Sequence, residues 1–526
     1  MTTWHVVNFW HVAWFGRPIS MLGLFLSCGP DEMYPRMLIE LVDNIAGPIT
    51  LLFNMTIERG ILPKDCELAF VSPIHKKGSR SIAENYLPIS LTSVLCKVME
   101  RLMRACVMNH LQENGLLSKR QHGFINGRST TTQLLYYLDK CITRIAEGGV
   151  VDTIYLDFAK AFDTVAHRRL LGKLSAYGIE GKILNWIKEF LCGRTQVVKV
   201  NGAHSIPTAV LSGIPQGTVL GPLLFIIYIN DILDNVESEG LLYADDTKIY
   251  RAISSKEDAL VLQSDLKSLE DWSDKWLLKF HPDKCHVLTL GKFDNIKYTH
   301  RYNICGKELE HVFEEKDLGV VIDADLSFAE HISSKVRVAN SIVGLIRRSF
   351  SYLDGKSFKK IYTAFVRPHL EYAQSAWAPH SRKYINMLEN IQIRATKLVD
   401  GFGNLEYSER LKRLNLPTLV YRRLRGDLIE LYKHFHTYDR GIISPSFQPK
   451  ERTTRKHEFQ LHQRKPHDGV RGIQSNSFYY RSINAWNDLP KSVVDAKDIN
   501  TFKNRLDKIW KYEQMMFDHT SPITSD

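Results

Sequence analysis

Asp245 and Asp246 stand together inside Leu241-Leu242-Tyr243-Ala244-Asp245-Asp246-Thr247, a segment otherwise apolar and strand-like. Paired carboxylates in such a setting are costly unless a cation or hydrogen bonds compensate them. A tight turn bearing acids is a cradle for Mg2+, which takes oxygen ligands. Successive strand side chains point to opposite faces, so the two acids are not equivalent and Asp245 is the expected direct ligand. Asp-Asp is equally common in ordinary surface turns. A second acid shifts the balance. Tyr155-Leu156-Asp157-Phe158-Ala159-Lys160-Ala161-Phe162-Asp163 places Asp157 at the end of a second strand-like run. If the two strands are neighbours, Asp157 and Asp245 bridge two cations about 4 Å apart, the arrangement for in-line phosphoryl transfer. An N-cap role for Asp157 leaves the other acids unexplained. The third piece is Ser212-Gly213-Ile214-Pro215-Gln216-Gly217-Thr218. Its glycines let a backbone approach a ligand closely, and Gln216 offers both a donor and an acceptor. As a Gly-Pro turn it is also an ordinary structural feature.

The elements that must position these residues are legible from periodicity. Val151–Phe158 is β-branched and aromatic, follows Gly148-Gly149 and reads as a strand. Leu241–Tyr250 reads as two short strands broken at Asp245-Asp246, and Thr195–Val200 as a strand turning at Asn201-Gly202. Helical spacing marks Met99–Leu111, with Val98, Leu102, Cys106 and His110 on one face, then Lys182–Leu191 and Leu260–Leu277. Pro222 opens the apolar stretch Leu223–Ile232, as a proline is tolerated in a first helical turn. Beyond residue 326 the pattern is mainly helical, over Val336–Phe350, Ser357–Phe365 and Tyr384–Leu398. A basic region containing Arg422-Arg423 and Lys450–Arg471 follows, with a connector expected around 440–475. Strands gathered centrally under helices make the expected class α+β.

Lys and Arg exceed Asp and Glu by 69 to 58 over the 526 residues, a formal charge of +11. That excess suits a polyanionic partner, nucleic acid before an acidic membrane. The 8 cysteines are scattered, without the short spacings of a zinc site or the density of a disulfide scaffold, which points to reduced thiols and an intracellular protein. Residues 1–28 are apolar but interrupted by His5, His11, Arg17 and Pro18, so they read as a leader outside any domain rather than a spanning helix.

In this order the acidic strand, the Gln216 turn and the Asp245 hairpin resemble the palm motifs of reverse transcriptases. The wider match is to the jockey-like branch of non-LTR (LINE-type) retrotransposons. It runs through Gly29-Pro30-Asp31, Pro73–Gly78, Asn85–Leu91, Gln121–Phe124, Trp276 to Cys285, Asp317-Leu318-Gly319, Val366–Tyr372 and Ala485–Pro490, nearly everything after residue 28. The resemblance implies a right-hand polymerase, with fingers and palm over 29–325, a helical thumb over 326–400 and a basic C-terminal extension over 401–526. It implies RNA-directed DNA synthesis with two Mg2+ ions, Mn2+ being the substitute, on an RNA template and DNA primer with deoxynucleoside triphosphates, away from membranes. Asp157 and Asp245 match the metal ligands, Asp246 the third acid, and the Phe158 carbonyl a backbone ligand. Phe162 matches the ring under the incoming sugar, Gln216 a nucleotide contact, Lys76 a fingers lysine facing the triphosphate, and Lys284 a lysine that protonates pyrophosphate. Leu318-Gly319 resembles the turn that grips the primer terminus. Lys335, Arg337, Arg347 and Arg348 are the expected thumb contacts to phosphates, and Lys450–Arg471 an outer contact to template RNA.

Two positions depart from the pattern. Leu87 stands where the family carries an arginine, whose bidentate grip on a triphosphate leucine cannot supply; the loss costs on the order of 1.5–3 kcal/mol. Glu32 stands where the family carries glycine. These departures, with no endonuclease encoded in residues 1–28, support a second reading: a decayed element remnant that binds nucleic acid with little synthesis. Any nicking endonuclease would then have to be supplied separately.

Overall fold

The computed structural model describes residues 28–291, 300–437, 447, 450, 457–462, 471–510 and 514–521. The expected leader and most of the 440–475 connector, with the greater part of Lys450–Arg471, lie outside the described residues. The strands, in chain order, begin with β1 (Leu68–His75), β2 (Tyr86–Leu91), β3 (Val151–Leu156) and β4 (Thr195–Val200). Next come β5 (Ala203–His204), β6 (Thr208–Ala209), β7 (Glu239–Tyr243), β8 (Asp246–Ala252) and β9 (His286–Leu290). The last are β10 (Asn303–Ile304), β11 (Lys307–Glu308), β12 (Glu310–Val312), β13 (Glu314–Asp317) and β14 (Val320–Asp323). The chain packs as two compact units, each assembled from separated stretches: residues through Phe124, Asp157–Val236 and Lys267–His281 in the first, Ile125–Leu156, Glu237–Leu266 and everything from Pro282 in the second.

The first unit holds a sheet in the order β2-β1-β4, with β5 and β6 both pairing β4. β1 runs antiparallel to β2 and parallel to β4. The β4–β5 hairpin turns at Asn201 (φ 50°) and Gly202 (φ 83°), the two positive-φ positions that make Asn-Gly the favoured hairpin loop. Helix Val94–Glu113 starts where the Ser93 hydroxyl accepts from the Cys96 amide at 3.3 Å. It buries Val98, Met99, Leu102, Met103, Val107 and Leu111, while Cys106 and His110 at the edge of that face are half-buried. Helix Gly221–Ile229 is buried on every side and stops short of the expected Ile232.

In the second unit the strand order is β12-β9-β3-β8-β7, antiparallel throughout except for the parallel edge pair β12–β9. β3 lies at its centre and is buried along nearly its whole length, as a strand covered on both faces must be. Its Asp152, at 5% exposure, is tolerated there because Thr289 and Tyr302 both donate to it at 2.7 Å. Helix Thr130–Ala146 opens with a Ser129/Thr132 capping box and lends Leu134, Tyr137 and Leu138 to the core. From Ala329 onward the described residues are mainly helical, the longest segments being Ala329–Ser349, Arg382–Thr396 and Leu419–His436. The expected α+β class, with a mainly helical C-terminal region, is the one observed. Among the described residues no helix is long and apolar enough to cross a membrane.

Candidate active site

β7 and β8 form a hairpin in which Tyr243 pairs with Asp246. The loop is therefore Ala244-Asp245, one residue earlier than the Asp245-Asp246 break expected, and Asp246 is the first residue of β8. Ala244 has φ 54°, a region that a residue with a Cβ enters only under constraint, and one that marks functional turns. Asp245 is half-buried and Asp246 exposed, so the two acids are unequal, as the alternation required. Across β8, Thr247 pairs with Leu156, the last residue of β3. The sheet register thus aligns the hairpin with the end of the strand from which the chain runs directly into Asp157.

Asp157 and the residues after it belong to the first unit. The expected strand to Phe158 ends instead at Leu156, and Phe158 makes an isolated antiparallel bridge to Phe280. The bridging bonds run from the His281 amide to the Asp157 carbonyl and from the Ala159 amide to the Lys279 carbonyl, each at 2.8 Å. They bypass the carbonyl of Phe158, whose ring stacks on Phe280 with centroids 4.6 Å apart. Phe162 is half-buried and stacks on Phe225 at 4.4 Å. Its floor is firm, because Phe225 belongs to the fully buried helix Gly221–Ile229. That helix begins where Glu100 Oε2 accepts from the Val219 and Leu220 amides at 2.6 and 2.9 Å. Burial pushes the Glu100 carboxyl above its usual range, against those bonds and the Arg194 charge.

The Gln216 turn is bolted to the Phe162 segment. Ile214 donates to the Phe162 carbonyl at 2.7 Å and Gly213 to the Val165 carbonyl at 2.9 Å. A Cβ on Gly213 (φ 84°) would stand 2.6 Å from the Asp163 carbonyl oxygen, and one on Gly217 (φ 101°) 2.6 Å from that of Ser90. Both glycines are therefore required by φ and by space. The Gln216 carbonyl accepts from the Ser90 amide at 2.8 Å, joining this turn to β2. A cavity of about 370 Å³ beside it is lined by Pro88, Ser90, Asp163, Arg194 and Gln216. Lys76, exposed just past β1, contributes to the field at Asp163, whose carboxyl burial pushes up and Lys160 and Lys76 pull down. Leu87 pairs with Ile74 in β2 and shares its face with Ile89, which packs against Gly217. Glu32 sits at φ 50°, which gives the family's glycine there a conformational reason.

The remaining expected residues lie in the second unit. Lys284 is exposed in the short helix Pro282–Lys284. Leu318 (φ 46°) and Gly319 (φ 86°) form the two-residue turn of the β13–β14 hairpin. Lys248, two residues beyond Asp246, reaches Asp317 at the base of that turn in a buried ion pair. Nothing local in the sequence of β8 marks this pair. Of the expected thumb cations, Arg337 pairs with Glu330 on the surface, Lys335 is half-buried, and Arg347 and Arg348 are exposed.

The Val321 amide of β14 donates to His331 Nδ1 at 3.1 Å. Burial, helped by Lys335, pushes the His331 pKa down to about 4, whereas an unfolded histidine titrates near 6.5. The unfolded form then binds more protons between those values, so stability is lost as pH falls from about 6.5 to 4. The protection factor of the Val321 amide, its exchange corrected for the intrinsic pH dependence, is expected to fall across that window in the natural chain and to lose this component in His331→Asn. An unchanged profile in the variant would refute the assignment.

Residues 74–321, which contain β2, Asp157, the Gln216 turn, the acidic hairpin and the Leu318-Gly319 turn, match the family model described as reverse transcriptase (RNA-dependent DNA polymerase). Residues 74–321 are a reverse transcriptase domain. The chain is 29% identical over 393 residues to the RNA-directed DNA polymerase from mobile element jockey of Drosophila funebris, covering 71% of this chain and 42% of that protein. To the Drosophila melanogaster protein of the same name it is 26% identical over 408 residues, 73% and 43% of the two chains. The reverse transcriptase domain is thus similar to those of non-LTR, jockey-like elements, and the chain spans under half the length of these relatives. A solved apo telomerase from Candida tropicalis, truncated from its C-terminal domain, aligns over 56% of this chain and 59% of its own, with TM-score 0.36 and 12% identity.

Among the described residues no cluster of three or more His, Cys, Asp or Glu side chains that could hold a metal is assembled. The reverse transcriptase donor set does not require one. Mg2+ is commonly held by one or two carboxylates, with the substrate phosphates completing its shell. Asp245 in the second unit and, separately, the Phe158 carbonyl in the first are hard oxygens of the kind such an ion takes.

Proposed function

We propose that this chain is an RNA-directed DNA polymerase, joining deoxynucleoside monophosphates from their triphosphates to a DNA primer 3′-hydroxyl on an RNA template. The observation that carries the proposal is the register of the central sheet, which aligns the Ala244-Asp245 hairpin with the strand leading into Asp157 inside a reverse transcriptase domain. In this reading Asp157, Asp245 and the Phe158 carbonyl hold two divalent cations, Mg2+ or Mn2+, with Asp246 alongside. Bound there, the cations lower the pKa of the primer hydroxyl and stabilise the leaving pyrophosphate. Phe162, backed by Phe225, bears on the sugar and excludes a 2′-hydroxyl. Gln216 contacts the nucleotide, Lys76 faces its triphosphate, and Lys284 supplies a proton to pyrophosphate. Positioning and charge thus carry most of the catalysis. We assign fingers and palm to 29–325, thumb to 326–400 and a basic extension to 401–526.

Primer extension on poly(rA)/oligo(dT) with Mg2+ tests the proposal; no synthesis by the natural chain or by Leu87→Arg would leave a nucleic-acid-binding remnant as the better description. Leu87→Arg is expected to raise efficiency ten- to a hundredfold by restoring a bidentate triphosphate contact of roughly 1.5–3 kcal/mol. The gain should appear in kcat/KM for the nucleotide. No gain would show that an arginine at this position of β2 does not reach the triphosphate.

A further inference from the structure

The Leu318-Gly319 turn holds a leucine at φ 46°, a strained conformation that persists only when its surroundings impose it. Tyr372 imposes it at two points. Its hydroxyl donates to the Leu318 carbonyl at 2.9 Å, and its ring lies 3.2 Å from where a Cβ on Gly319 would stand. The same hydroxyl shares a hydrogen bond with Thr130 Oγ1 at 3.2 Å, at the start of helix Thr130–Ala146. The turn is also tied to the acidic hairpin, because Lys248 of β8 pairs with Asp317 at the base of the turn.

Tyr372 is itself held from behind. Its carbonyl accepts from Trp377 Nε1 at 2.7 Å, and Trp377 is buried. The adjacent Glu371 takes both prongs of the Arg422 guanidinium, the Nη2 bond measuring 2.7 Å, and Arg367 Nε stands 3.6 Å away. Arg422 belongs to helix Leu419–His436. That helix docks so closely that a Cβ on Gly426 would stand 2.0 Å from Gln374 Nε2, and Gln374 donates to the Arg422 carbonyl at 3.2 Å. Bidentate, half-buried arginine pairs of this kind fix geometry as well as adding energy.

We infer that Tyr372 is a positioning residue that sets the primer-terminus turn relative to the Asp245 hairpin, and that helix Leu419–His436 holds it in place through the Arg422–Glu371 pair. The inference rests on the polymerase reading for its consequence, and it gives the helical region past residue 400 a part in DNA synthesis. A turn displaced by about 1 Å would misalign the primer hydroxyl, and such an error costs up to about a hundredfold.

The test uses the full chain as Tyr372→Phe, which keeps the ring against Gly319 but removes both hydroxyl bonds, and as Arg422→Gln. Hydrogen exchange of the Glu314–Asp323 hairpin needs no activity and is read first. It is expected to accelerate about fivefold in Tyr372→Phe, the net worth of one hydrogen bond, and to accelerate also in Arg422→Gln. Unchanged exchange in both variants overturns the inference. In primer extension, KM for primer–template should rise about fivefold while KM for the nucleotide stays put; an equal rise in both would mean general damage and also overturn it. Should the natural chain extend no primer, the polymerase reading fails, and the exchange result alone still decides whether Tyr372 holds the turn.

Discussion

Asp245→Ala is expected to lower single-nucleotide incorporation by about three orders of magnitude or more while leaving the fold unchanged. The carboxylate is the half-buried member of a two-residue loop closed by the Tyr243–Asp246 pair. The bond from the Thr247 hydroxyl goes to the Asp245 backbone carbonyl and survives the substitution. The substitution removes the carboxylate proposed to hold the cation. Cation stabilisation of a phosphoryl-transfer transition state is worth several kcal/mol, and each 1.36 kcal/mol is tenfold in rate. Asp246→Ala, at an exposed strand position, is expected to be milder. Rapid-quench incorporation with a pre-formed primer–template, paired with circular dichroism, reads both effects. Activity of Asp245→Ala within tenfold of the natural chain would sink the two-metal reading.

Lys248→Met is expected to loosen the Leu318-Gly319 hairpin by about 3–5 kcal/mol, the usual cost of leaving one member of a buried ion pair unpaired. Lys248 and Asp317 are 3% and 6% exposed at their side chains, so water cannot compensate the orphaned carboxylate. The lysine also lies over the Tyr137 ring at 4.5 Å, in a packed layer where Tyr137 bonds Thr153 at 2.7 Å. The double variant Lys248→Met/Asp317→Leu should recover most of the loss, because apolar groups of similar volume replace a buried pair at little cost. Hydrogen exchange over β13 and β14 separates the cases. A single variant within 1 kcal/mol of the natural chain would show that the pair carries little of the hairpin's stability.

Turn chemistry explains most of what could be read without coordinates. Asn201-Gly202, Gly213, Gly217 and Leu318-Gly319 mark their own turns, since the conformations they adopt depend on a few neighbouring atoms. The buried helix Gly221–Ile229 was visible as an apolar run and the central strand β3 as a β-branched and aromatic one, both local signals. The acidic hairpin was legible as a hairpin but misplaced by one residue, because its loop follows from which residues pair across β7 and β8, and Tyr243–Asp246 closes it early. Arg422 and Arg423 read as part of a basic region, yet Arg422 turns onto Glu371 and Arg423 is buried.

The residue types of Asp157, Phe162, Gln216 and Asp245, the residues proposed for nucleotide transfer, were determined by the sequence alone, since chemistry belongs to the side chain. What holds the Leu318-Gly319 turn was decided by the tertiary structure. Lys248 finds Asp317 across 69 residues, Tyr372 finds Leu318 across 54, and Arg422 finds Glu371 across 51. Such pairs leave no local pattern, because they exist only once strand register and helix docking have brought distant segments within reach of a hydrogen bond.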